Sequence, residues 1–123
     1  MPSTGGRTVL VVDDDPGVLE LLELALAAEG YLVVSARNGR EGLAQATASH
    51  PRVMLVDLMM PIMDGREFVL ECRKHDDICR TPVIILSAAQ TARDTVRDLA
   101  VQAIVPKPFD LGALLELVAS YAR

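Results

Sequence analysis

The sequence has no tryptophan and few aromatic residues of any kind, two tyrosines and two phenylalanines. Half of its residues are nevertheless hydrophobic, so the core must be assembled from Leu, Val, Ile and Ala rather than from rings, and extensive disorder is excluded. No apolar run approaches the roughly 20 residues that a membrane-spanning helix needs. The opening stretch MPSTGGR has no signal-peptide core, so a cytoplasmic protein with no membrane partner is expected. Positive charge is also scarce: 12 basic against 17 acidic residues leave a net charge of −5, which argues against nucleic acid as a direct ligand. The two cysteines, Cys72 and Cys79, lack CxxC spacing and have no clustered histidines nearby, so they are read as reduced thiols rather than as a zinc site or redox pair.

What is present is a regular alternation. A chain of 123 residues is the length of one domain, and residues 1–6, rich in Gly, Ser and Thr, read as a flexible lead-in to a domain over 7–123. TVLVV, YLVVSA, RVMLV, PVIIL and AIV are short β-branched apolar runs suited to strands. PGVLELLELALAAEG, REGLAQATAS, GREFVLECRKH, ARDTVRDLA and LGALLELVASYA follow them in turn at helical spacing. In the first helix Val18, Leu22 and Leu26 mark the apolar face, Asp15 the cap, Pro16 the first turn and Gly30 the end. The fourth is the weakest helix, because Ala92, Val96 and Leu99 form a thin stripe among Arg93, Asp94, Arg97 and Asp98. Strands separated by helices must run parallel through right-handed crossovers, giving an α/β, doubly wound, flavodoxin-like (βα)5 sandwich.

In such a sheet, ligands bind at the carboxyl ends of the strands. The first strand ends at Asp13, Asp14 and Asp15, the third at Asp57, the fourth at Ser87, and the fifth runs into Lys107. With a strand order of 2-1-3-4-5 the acidic cluster and Asp57 share one edge. Clustered carboxylates repel one another unless a cation intervenes, and Mg²⁺ suits an all-oxygen site with open positions better than zinc or calcium does. A carboxylate beside such an ion can attack phosphorus, with Lys107 and the Ser87 hydroxyl binding the phosphoryl oxygens. Asp15, Asp64 and Asp110 are read as helix caps, Phe109 as an anchor, Met59, Met60 and Met63 as loop packing, and His50 and His75 as solvated.

VLVVDDDP, LVDLMMPIMDG, VIILSA and PKPFD, in that order along the chain, resemble the receiver domain of bacterial two-component response regulators of the CheY-like type. The resemblance implies that Asp57 is the phosphoacceptor for a histidine kinase or histidine phosphotransfer protein. It implies that Asp14 ligates Mg²⁺ directly, that Asp13 acts close by, often through water, and that the backbone carbonyl of Met59 completes the protein ligands beside Asp57. Ser87 takes the place of the switch hydroxyl and Lys107 of its companion lysine, with a cis Lys107-Pro108 bond. The protein would then be a signalling switch that catalyses only its own phosphorylation and dephosphorylation. Its fourth helix, fifth strand and fifth helix would meet a downstream protein target, a missing output domain or a second copy.

The chain departs from the family pattern at three places. Ile104 stands where many receivers carry an aromatic switch residue, and Ala100 and Val101 where glycine and alanine are common. Activation is therefore expected to rest on Ser87 and the fourth helix. Met59 and Ala89, flanking the site, offer no acid or amide to orient a water, so slow hydrolysis is expected. Two other functions compete: a haloacid-dehalogenase-like phosphohydrolase with Asp13 as nucleophile, which leaves Asp57 without a role, and a phosphorylation-independent receiver-like interaction module. A flavin binder of the same architecture is disfavoured by the scarcity of aromatics.

Overall fold

The computed structural model describes residues 7–88 and 92–122; the expected lead-in, residues 1–6, lies outside them. Five strands, β1 (Thr8–Val12), β2 (Leu32–Ala36), β3 (Val53–Asp57), β4 (Val83–Ser87) and β5 (Ala103–Pro106), alternate with five helices. These are α1 (Pro16–Ala28), α2 (Gly39–Ser49), α3 (Gly65–Cys72), α4 (Ala92–Val96) and α5 (Leu111–Tyr121). The strands form one parallel sheet in the order β2-β1-β3-β4-β5. No helix among the described residues is long and apolar enough to cross a membrane.

Successive side chains of a strand point to opposite faces, and here both faces are apolar. Leu10, Val12, Met54, Val56 and Ile85 enter one core with Ala46 of α2, Phe68, Val69 and Cys72 of α3, and Ala92 and Val96 of α4. Val9, Val11, Val53, Leu55, Ile84 and Leu86 enter the other with Leu19, Leu22 and Leu26 of α1 and Leu114 and Val118 of α5. Every residue of β3 and β4 is buried. The strand that carries Asp57 is thus clamped on both faces and by both neighbours.

Three helices begin at the caps expected for them. The carboxylates of Asp15, Asp64 and Asp110 accept from the backbone N–H groups of Gly17, Glu67 and Gly112, and Asp64 with Glu67 closes a capping box. Gly30, at φ 97°, takes the left-handed turn after α1. The buried stripe of α1 is Leu19, Leu22 and Leu26, with Val18 half-buried beside it, one position from the face expected.

Both α3 and α4 are shorter than their spacing predicts. α3 stops at Cys72 rather than His75 because the Arg73 guanidinium is drawn to the carbonyl oxygens of Cys79 and Thr81 and the chain folds back to bury Ile78. α4 ends at Val96, and Leu99 reaches the core from a turn closed by its own N–H on the Val96 carbonyl oxygen at 2.9 Å. Cys72 and Cys79 are free thiols, and burial pushes Cys72 up to about 12, which leaves it unreactive. His50 caps α2 in the left-handed region and pairs at the surface with Asp77, at 2.7 Å.

Ile62 carries a φ of 70° while 71% exposed. A β-branched side chain in the left-handed region is strained, whereas asparagine adopts it readily. Ile62→Asn is expected to stabilise the fold by about 1 kcal/mol. An unchanged or lower urea midpoint would contradict this.

Candidate functional site

Asp13 directly follows β1 and extends its ladder, its N–H donating to the Ala36 carbonyl oxygen at 3.0 Å. Its side chain is fully buried. One carboxylate oxygen accepts from the Asp15 N–H at 2.9 Å and the other from Lys107 Nζ at 2.8 Å. Asp14, next along, is exposed. Asp57 ends β3 at 6% exposure, and its Oδ1 lies 3.5 Å from the same Lys107 Nζ. Ser87 ends β4, buried, and its carbonyl oxygen accepts from the Lys107 N–H at 2.9 Å. The Lys107-Pro108 bond is cis.

The sheet therefore brings together five of the residues singled out from the sequence. Asp13, Asp14 and Asp57 offer carboxylate oxygens within 4.8 Å of one another. Against these three acids, Lys107 reaches two. Burial, followed by the charge of Asp13, pushes the Asp57 carboxyl up to about 6, although Lys107 and a hydrogen bond from the Met59 backbone pull the other way. Burial would also push the Lys107 ammonium down, but its hydrogen bond to Asp13 and the charges of Asp13 and Asp57 outweigh that and raise it. The lysine stays charged, and the site keeps an excess of negative charge that a hard cation would relieve. Three carboxylates, one of them open to solvent at Asp14, are a donor set that fits Mg²⁺.

The segment from Asp57 to α3 is held by backbone. The Gly65 N–H donates to the Leu58 carbonyl oxygen at 2.9 Å, and a Cβ on Gly65 would stand 2.5 Å from the Asp57 carbonyl oxygen. Gly39 N–H donates to the Met63 carbonyl oxygen at 2.8 Å, and a Cβ there would meet Met63 at 2.6 Å. Glycine is required at both positions by contact rather than by φ. The sequence did not single out Gly39. It also passed over Arg37, which with Asp14 and Pro16 lines a cavity of about 310 Å³ at the mouth of the site. Met59 is exposed, as its place in the loop allows. Ala89 lies outside the described residues.

The sequence profile of the response regulator receiver domain matches residues 9–119. The chain belongs to this receiver family. It is 39% identical over 114 residues to the regulatory protein AtoC of Escherichia coli K12, covering 90% of this chain and 24% of that one. It spans about half the length of several other curated relatives. A putative response regulator from Chloroflexus aurantiacus superposes with a TM-score of 0.87 at 30% identity, over 94% of this chain and 97% of that one. The receiver domain of the sensor histidine kinase PA1611 from Pseudomonas aeruginosa does so at 0.88 and 25% identity, over 96% and 98%; it holds a magnesium ion in its active-site cleft. The receiver fold, with its strand order, is thus established, and neither the phosphohydrolase nor the flavin reading is favoured. Receiver domains are signalling switches rather than turnover enzymes.

The position of Asp57 has a measurable cost. An acid whose native value lies above its ordinary one binds more protons folded than unfolded between 3.8 and about 6. Stability therefore falls as pH rises through that window, and ionised Asp57 destabilises the fold above it. In chelated buffer, Asp57→Asn is expected to raise the unfolding free energy at neutral pH by about 1–2 kcal/mol after allowance for solvent screening. The gain should vanish near pH 4. Urea titrations across that range check it, and a gain independent of pH would rule out ionisation as the cause.

Proposed function

We propose that this receiver domain takes a phosphoryl group onto Asp57 from a histidine kinase or histidine phosphotransfer protein, and that the modification alters a protein-interaction surface. The observation that carries this reading is the junction of a buried, raised-pKa carboxylate with two further acids and a charged lysine at the carboxyl edge of the sheet.

In the proposed reaction a carboxylate oxygen of Asp57 attacks phosphorus in line with the departing imidazole of the donor, whose P–N bond breaks. β3, fixed on both faces, presents that oxygen with little freedom, which supplies orientation rather than chemistry. Lys107 stands 3.5 Å from Asp57 and can turn toward the incoming phosphoryl oxygens. The Ser87 hydroxyl, at the end of the adjacent strand, is the second group proposed to meet them. Asp13, Asp14, Asp57 and the Met59 carbonyl are the proposed holders of Mg²⁺, which when bound draws charge from the phosphoryl oxygens. The switch is proposed to act in the cytoplasm, through α4, β5 and α5, on a downstream protein, an output domain or a second copy.

Two measurements test the reading. Acetyl phosphate with Mg²⁺ should modify Asp57, as mapped by peptide mass spectrometry after chemical trapping, and chelation or Asp57→Ala should abolish the product. Modification at Asp13 instead would favour the phosphohydrolase. Loss of the phosphoryl group should then be slow, because the exposed Met59 thioether cannot orient a water. Met59→Asn, which supplies an amide, should shorten the lifetime several-fold in a phosphate-release assay; rapid loss from the unsubstituted protein would refute the account.

A further inference from the structure

α4 is five residues long and buries Ala92 and Val96. That is little to hold so short a helix in place. Its far end is held instead by two arginines of the α3 segment. The Arg66 guanidinium pairs with Asp98 through both prongs, Nη1 to Oδ1 and Nη2 to Oδ2, each at 2.7 Å, and Nη1 also donates to the Thr95 carbonyl oxygen at 2.7 Å. Arg73, two turns further on, donates through Nη2 to the Ala100 carbonyl oxygen at 2.5 Å while Nη1 holds those of Cys79 and Thr81. Thr95 and Ala100 bracket the turn into β5. Thr95 lies in the last turn of α4, where carbonyls run short of intrahelical donors, and Ala100 lies four residues beyond it, so one bond holds the end of the helix and the other the turn that follows.

The two arms differ. The Arg73 side chain is partly buried, and its Nε is sequestered with no partner among the described residues. The Arg66 arm lies nearer the surface, at 34% exposure for Arg66 and 63% for Asp98. Arg66 holds the Asp98 carboxyl down at about 2, so this pair is ionised at any physiological pH. Its strength is nonetheless open to water and salt.

We propose that Arg66 and Arg73 form a two-point strap from α3, in which Arg73 is the fixed end and Arg66 the releasable one that sets the position of α4 and of the turn into β5. Residues 88–91 alone separate Ser87 from α4, so a displacement at Ser87 reaches the helix through a short connection. Ile104, which packs against the same core as Val96, Leu99 and Val101, has no aromatic ring to swing. The strap then takes the place of a side-chain rotor as the element with two states. The coupling to phosphorylation rests on the reading of Asp57 above. A chain freed of the Arg66 arm should populate the phosphorylation-competent position of α4 more often, and so accept a phosphoryl group more readily.

The test uses the whole chain and its Arg66→Ala, Asp98→Asn and charge-swapped Arg66→Asp/Asp98→Arg forms. Amide hydrogen exchange over residues 92–101 should rise about ten-fold in Arg66→Ala. The rise should be smaller in Asp98→Asn, which keeps the Thr95 bond, and partly reversed in the swapped pair, with α1 and α5 unchanged. Mg²⁺-dependent phosphorylation by acetyl phosphate should be several-fold faster in Arg66→Ala. Unchanged exchange over 92–101, or an equal rise throughout the molecule, would overturn the strap. A local rise with an unchanged phosphorylation rate would overturn its coupling to Ser87. If the unsubstituted chain takes no phosphoryl group, the assignment of Asp57 fails, while the exchange result still decides the strap.

Discussion

Three carboxylates and one ammonium share the carboxyl edge of the sheet, and this imbalance of charge governs the rest of the molecule. Asp13 is buried and engaged by Lys107 at 2.8 Å, while Asp57 has the same lysine only at 3.5 Å. Burial and the charge of Asp13 raise the Asp57 pKa, and the more distant lysine offsets them only in part, which leaves Asp57 the underserved acid. Such an arrangement is costly for folding and favourable for chemistry, because the group least satisfied at rest gains most from a new partner. The apolar strands on both sides supply the stability that tolerates it.

The position of each charged group follows from the strand ends. β1, β3 and β4 are buried nearly throughout, and a chain leaving such a strand meets water within a residue or two. Asp57 and Ser87 are the last residues of their strands and Asp13 the first after its own, so each stands at that boundary while still buried. Parallel order then does what sequence proximity cannot: Lys107, 94 positions from Asp13, arrives beside it because β5 ends on the same side. The segment between Asp57 and α3 is fixed by Gly39 and Gly65 against Met63 and the Asp57 backbone, so the nucleophile candidate is supported behind as well as beside.

Much of this was legible in the sequence, for identifiable reasons. Strands covered on both faces show as unbroken β-branched runs, and the caps at Asp15, Asp64 and Asp110 are local signals that need no tertiary contact. The site residues could be grouped once the strands were known to be parallel. The ends of α3 and α4 could not be read, because the first depends on Arg73 reaching the Cys79 and Thr81 carbonyls across a fold-back of the chain and the second on Arg66 and Arg73 reaching groups about thirty positions away. Nor could the spacing say which acid the lysine would prefer, or that Gly39 would touch Met63. The shift of the α1 stripe from Val18 to Leu19 is a rotation of one position, set by how the helix lies on the sheet rather than by its own periodicity.

The division of each strand between two cores has a consequence for how this domain can vary in length. In β3, Met54 and Val56 belong to one core and Val53 and Leu55 to the other. Inserting or deleting a single residue there would exchange the two sets, turning every side chain to the opposite face and carrying the terminal carboxylate away from Lys107. Both cores are apolar, so the exchanged residues could still be buried; what would be lost is the register of the site. The number of residues between the first residue of β3 and Asp57 is therefore constrained as tightly as the identity of the aspartate, whereas a residue added in a loop at the opposite edge of the sheet would leave the register of the site intact.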